Sequence, residues 1–213
     1  MTSKYMRRAA ALLASLAVAA ELSACAPLII GGAIVGGSMV AINRRTSGAQ
    51  LEDEGIELKA PKRISEAIND RGSISVTSYN RLVLIAGAVP TEADKATVEQ
   101  TVARIENVRS VVNELTIGER GSLVSRSNDA LLTSKVKASF IDAKDLQVNA
   151  FKVVTERSVV YLMGLVTERE AARAADVARG VDGVQKVVKV FETVTEAELA
   201  NLQPPKAAEA SKP

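Results

Sequence analysis

Val159-Val-Tyr-Leu-Met-Gly-Leu-Val-Thr-Glu-Arg-Glu-Ala-Ala-Arg-Ala-Ala-Asp-Val-Ala178 changes its hydrophobic period part-way. Up to Leu165 it is apolar and rich in β-formers, as in a strand covered on both faces. Thr167 then offers a hydroxyl as N-cap, and Glu170 stands three residues on, as in a capping box. Glu168 and Glu170 fall in the first helical turn, where the helix dipole favours negative charge. Ala171, Ala174, Ala175 and Ala178 follow at helical spacing as a stripe of small residues. Gly164 stands just before the junction, where a side chain would obstruct close backbone approach. The stretch predicts a strand that leads directly into a helix packed closely on a sheet.

The same pattern occurs earlier. Arg81-Leu-Val-Leu-Ile-Ala-Gly87 reads as a strand, and Ala88-Val-Pro-Thr-Glu92 opens a helix. Gly87 and Gly164 are 77 residues apart, and the preceding strands near Ile74 and Phe151 match at the same offset. The strands near Val108 and Val184 match at 76, which places one indel in the helix region. The chain therefore carries two copies of one module. Each copy is predicted as α-β-β-α-β in about 70 residues, a size that buries little core alone. Two copies side by side can share burial. The expected fold class is α+β, with a mixed three-stranded sheet covered by two helices in each module.

Residues 1–24 read as a targeting segment. Lys4, Arg7 and Arg8 form a basic start, and Ala9 to Ala20 is an apolar run of twelve, too short to span a bilayer. Leu22-Ser-Ala-Cys25 follows, and Cys25 is the only cysteine in the chain. This tetrapeptide resembles the lipobox of bacterial lipoproteins. The resemblance implies cleavage before Cys25 and attachment of a lipid anchor there, with acyl chains such as palmitate. The alternative is an ordinary secretory signal. One cysteine leaves no disulfide framework. The net charge of +2 belongs to the precursor: without residues 1–24 the chain has 24 basic and 24 acidic residues. With 3% aromatics as well, nucleic-acid binding has no support.

Residues 25–50 hold the lipidated Cys25 and a linker. Positions 26–42 are apolar and glycine-rich, suited to lie at the membrane interface. Asn43 to Gln50 reads as polar and mobile, with Arg44 and Arg45 available to lipid headgroups. The first module is expected over 51–118, with a helix from Ile56 to Asn69 that Pro61 breaks or delays. Strands are expected at Ile74–Tyr79, Leu82–Gly87 and Ser110–Ile117, with a helix from Pro90 to Glu106. Residues 119–126 read as a linker. The second module spans 127–195, with Asp129 or Asn128 capping a helix to Asp142. Residues 196–213 are expected to be a disordered tail.

The repeated strand, central Gly, helix and then Gly183-Val184-x-x-Val187-Val188 resembles the BON domain. Two such modules behind a lipobox resemble the dual-BON outer-membrane lipoproteins of Gram-negative bacteria. Ser127-Asn-Asp129, Thr133-Ser-Lys-Val136 and Tyr161 to Ala171 are similar to the second domain of the division-associated, phospholipid-binding branch. The resemblance implies no catalysis, no cofactor and a role in envelope integrity. It also implies binding of anionic phospholipid through the first helix of the second domain.

The chain has no histidine and no tryptophan, which removes His-based acid–base work, the Ser-His and Cys-His nucleophiles and the usual zinc ligands. Helix capping accounts for Glu168 and Glu170. The informative element is the helix near Asp129–Asp142. With Leu132 set at zero and about 100° per residue, Val136 and Phe140 fall at about 40° and 80°, facing the sheet. Lys135 falls at about −60°, Leu131 at −100°, Ala138 at −120°, Ser134 at −160° and Lys137 at 140°. An off-core leucine among lysines suits shallow insertion into an anionic bilayer. On residues alone Leu131 serves equally as a core flank or as a contact with the first module. With the resemblance, Leu131, Ser134, Lys135, Lys137 and Ala138 become the expected phospholipid site, on the periplasmic face of the outer membrane. The competing expectation is a protein–protein adaptor for envelope assembly or division machinery. No metal site is expected.

Overall fold

Ile56, Ala60, Ile64 and Ile68 recur at helical spacing and need a common apolar surface. The computed structural model, which describes residues 44–202, places them on helix α1 (Ser47–Ile68), each 5% exposed or less. Strands β1 (Ser73–Tyr79) and β2 (Leu82–Val89) pair antiparallel around the Asn80–Arg81 turn. Helix α2 (Glu92–Ala103) then returns the chain to β3 (Ser110–Ile117), which pairs parallel with β2. The second module repeats this order. It contains α3 (Leu123–Asp142), β4 (Phe151–Glu156), β5 (Val159–Val166), α4 (Glu168–Arg179) and β6 (Lys186–Thr193). Strand order is β1-β2-β3 in one sheet and β4-β5-β6 in the other. Each is the mixed three-stranded sheet expected of the repeat.

Alternation along the central strands shows why both faces are apolar. Val83, Ile85 and Val89 of β2 pack against α1 and α2, and Val160, Leu162 and Val166 of β5 join the core of the second module. The intervening residues point the other way. Leu84 and Ala86 join Tyr161, Met163 and Leu165 in a third apolar cluster that belongs to both modules. The two sheets therefore pack face to face, with the helices outside. Ionic contacts rim this interface: Arg109 and Asn80 donate to the Glu192 carboxylate at 2.6–3.0 Å, and Lys152 Nζ donates to Glu57 at 2.6 Å.

Capping holds the junctions. Thr167 and Glu170 form the reciprocal capping box, and Ala171, Ala174, Ala175 and Ala178 are buried at 2% exposure or less. Gly164 is a site of close approach, but the neighbour differs from the expectation. A Cβ there would stand closer than 3.0 Å to the Ala150 carbonyl oxygen, so the crowding comes from the backbone entering β4 and not from α4. The one-residue indel also lies elsewhere. Val89 and Val166 end equivalent strands 77 apart, whereas the N-caps Thr91 and Thr167 are 76 apart, so the extra residue is Pro90 in the junction.

Four further expectations need correction. Helix α1 starts at Ser47 with Thr46 as its cap and runs through Pro61 unbroken. Burial of its apolar stripe on the sheet outweighs the one backbone bond that proline removes. Helix α3 starts at Leu123 with Ser122 as its cap, so the last four residues of the expected linker are helical and Asp129 lies inside the helix. Arg44 and Arg45 are not presented to solvent: Arg44 is 4% exposed and Arg45 pairs with Asp53 at 2.7 Å. Finally, the first residues of the expected tail form a short helix, α5 (Glu196–Leu202), with Leu199 buried. Cys25, the apolar segment 26–42 and positions 203–213 lie outside the described residues.

Candidate functional site

Helix α3 is held by its inner face. Leu132, Val136 and Phe140 are buried at 2% exposure or less, and Phe140 meets Phe151 edge-on at 5.2 Å between ring centres. Asp129, also inward, accepts hydrogen bonds from the backbone N–H groups of Arg157 and Ser158 at 2.9 and 2.8 Å. Both of those residues have positive φ, 51° and 60°, so the carboxylate secures a tight turn in a strained conformation. Asp53 does the same in the first module, accepting from the N–H groups of Asn80 and Arg81 and from the Ser78 hydroxyl. Burial would raise the Asp53 carboxyl, but these bonds and the Arg45 contact hold it below the ordinary carboxylate range. This pair of helix-to-hairpin ties was missed in the sequence. The available signal was an aspartate at the same place in both repeats, 76 residues apart.

With the inner face fixed, the outer face is determined. Among the described residues, eight large apolar side chains are strongly exposed, and four of them, Leu123, Val124, Leu131 and Ile141, lie on α3. On the wheel, Val124, Leu131 and Ala138 fall within about 40° of one another, and Ser134, Leu123 and Ile141 form the adjoining row. Leu131 is 63% exposed; Ser134, Lys135, Lys137 and Ala138 are all exposed as well. The Ser134 hydroxyl donates to the Ala130 carbonyl at 3.0 Å, so it presents little unsatisfied polarity. The structure thus collects Leu131, Ser134 and Ala138 on one face, with Lys135 at one flank and Lys137 at the other. It adds Val124 and Ile141, which the sequence reading did not single out. Leu131 is not a member of the apolar cluster shared by the two modules.

The face is an aliphatic stripe that also carries Asp142, with Lys135 and Lys137 on its flanks. It suits a fluid apolar surface better than a small ligand. Among the described residues no helix is long and apolar enough to cross a membrane, and no group of three acidic or thiol side chains converges on a metal position.

The sequence profile of the BON domain matches residues 52–119 and 128–195. The chain belongs to the BON-domain family. The outer membrane lipoprotein DolP of Haemophilus influenzae is similar: 37% identical over 173 residues, 80% of this chain and 89% of that one. The 21 kDa hemolysin of Actinobacillus pleuropneumoniae is 31% identical over 155 residues, 72% of this chain and 80% of that one. Both alignments cover more than two thirds of this chain and of the relative.

Proposed function

We propose that this BON-domain protein is a lipid-anchored, non-catalytic component of the outer membrane. In this reading it faces the periplasm, binds anionic phospholipid through the outer face of α3 and supports membrane integrity. Cys25 is its lipidated first residue, and Leu131, Ser134, Lys135, Lys137 and Ala138 form the centre of the contact. The observation that carries the reading is the concentration of exposed aliphatic side chains on α3 beside Lys135 and Lys137. Apolar side chains enter the acyl boundary while ammonium groups stay at the phosphates. The similarity to an outer membrane lipoprotein of Haemophilus influenzae supports the compartment.

The test is co-sedimentation of the unlipidated chain 43–213 with phosphatidylglycerol vesicles. Separate modules are unsuitable, because cutting between them exposes the shared Leu84–Tyr161–Met163 cluster. Leu131→Glu and Lys135→Glu should each weaken binding, the latter by roughly 10-fold or more, since it reverses a charge worth about 1 kcal/mol near an anionic surface. Undiminished binding by the folded double variant overturns the site. A second reading, a protein adaptor, is favoured by Leu51 and Leu58, which are 72% and 80% exposed on the outer side of α1. Leu58→Glu should then abolish pull-down of envelope proteins and leave vesicle binding intact.

A further inference from the structure

Arg44 enters the second module through a buried ion pair. The guanidinium donates to both Glu170 oxygens at 2.7 and 2.8 Å, to the Leu165 carbonyl at 3.0 Å and to the Gln147 side chain at 3.1 Å. Arg44 and Glu170 are each 4% exposed. Glu170 accepts at the same time from the Thr167 N–H at 3.0 Å, so the pair is built onto the cap of α4. Bidentate charge-assisted pairs are the strong kind, and a desolvated one is costly to leave half-made. The next residues belong to the first module. Arg45 lies over the Tyr79 ring at 4.3 Å and Thr46 caps α1. One short stretch is therefore seated on the second module at one end and opens the first module at the other.

This arginine comes from outside both BON repeats. We propose that Arg44 is a positioning residue that fixes the membrane tether to the second module. The lipid on Cys25 and the outer face of α3 then draw the same module toward one bilayer. This rests on the lipid-anchored reading above. Cys25 and Arg44 are 19 positions apart, a reach of at most about 65 Å, so the point where the tether joins the fold decides which face stays near the membrane. Gln147, one of the Arg44 partners, lies in the loop between α3 and β4, so that point adjoins the end of α3 that carries Ile141. Without the clamp, the first fixed point is Arg45, held by Asp53 and the Tyr79 ring, in the first module. Tethering turns the α3 contact into an intramolecular event, with an effective concentration set by that attachment point. A short aliphatic stripe and a few lysines are then sufficient.

The experiment uses the acylated chain in phosphatidylglycerol–phosphatidylethanolamine vesicles. Trypsin cleavage after Arg44 and Arg45 reports the clamp. An environment-sensitive fluorophore at Ala138→Cys reports lipid contact. Glu170→Gln removes the charge and keeps an acceptor for the Thr167 N–H. It should raise cleavage at least 10-fold and return at least half of the Ala138 emission shift to the aqueous value. Arg44→Lys should fall between parent and Glu170→Gln in emission. In the unlipidated chain 43–213, Glu170→Gln should bind vesicles as the parent does, because α3 is untouched. A folded, acylated Glu170→Gln protein that keeps the parent emission overturns the proposal. If circular dichroism shows lost helix, Gln147→Ala replaces it, and unchanged cleavage together with unchanged emission there is equally fatal. Failure of the unlipidated parent to bind vesicles instead overturns the phospholipid reading, while trypsin resistance still reports on the clamp.

Discussion

Replacing Gly164 with alanine adds one methyl group to the middle of β5, at the residue paired with Phe151. The built Cβ would lie within 3.0 Å of the Ala150 carbonyl oxygen and 3.3 Å from Val166 Cγ1. The obstructing atom is backbone, so no side-chain rotation relieves it. Either β4 separates from β5 at Phe151 or the turn before β4 shifts. Phe151 anchors the aromatic row between Phe140 and Phe191, at 5.2 and 5.9 Å, so any shift is passed to α3. Overpacking costs typically 1–3 kcal/mol, and a rigid obstruction belongs at the upper end, about 2–3 kcal/mol. For a domain of this size that lowers the thermal midpoint by roughly 5–10 °C. Differential scanning calorimetry of the chain 43–213 measures it. Gly87→Ala should be worse, because φ there is +126° and its Cβ would meet the Ser73 carbonyl. A Gly164→Ala midpoint within 2 °C of the parent would refute the packing argument.

Ala174→Leu or Ala175→Leu, at fully buried positions, should destabilise by roughly 1–3 kcal/mol in urea titration; unchanged midpoints would contradict the orientation of α4. Asp129→Asn removes the charge that holds the Arg157–Ser158 turn and should cost about 1–3 kcal/mol, read in the same titration. In Glu170, burial would raise the carboxyl, but the Arg44 contact and the Thr167 N–H bond hold it below its ordinary range. Asp53 is likewise lowered. A depressed folded value means stability that is complete above the ordinary carboxylate range and is lost as pH falls through the folded value, so the loss begins below about pH 4. Glu170→Gln should flatten that acid limb in a pH series of melts. Cys25→Ser should move the protein from the detergent phase to the aqueous phase; equal partitioning contradicts the anchor.

The fold was legible wherever local signals agreed. Thr167 and Glu170 marked a cap, the alanines marked a packed helix, and the second copy of the pattern marked the α-β-β-α-β module with its three-stranded sheet. What escaped depended on distance in sequence. Arg44 read as solvent-facing because its partner is 126 residues away. Asp129 read as a cap because a buried aspartate inside a helix is recognisable only once the hairpin turn is known to lie beside it. Pro61 read as a break because propensity does not register the apolar stripe that holds α1 to its sheet. On the candidate site, the wheel separated Leu131 from Leu132 correctly in burial, 63% against 2% exposed. The contributions of Val124 and Ile141 depended on where α3 begins and ends, which the expected cap at Asp129 obscured.

The central claim is that the outer face of α3 enters an anionic bilayer. A scan of single cysteines carrying an environment-sensitive fluorophore, in the unlipidated chain 43–213, tests it most directly, since that chain has no native cysteine. With phosphatidylglycerol vesicles, labels at Val124, Leu131, Ala138 and Ile141 should shift to apolar emission, and the shift should shrink as salt rises. A label at Leu58 on α1 should stay aqueous. Aqueous emission at all four α3 positions, or an apolar shift at Leu58 alone, would contradict the account.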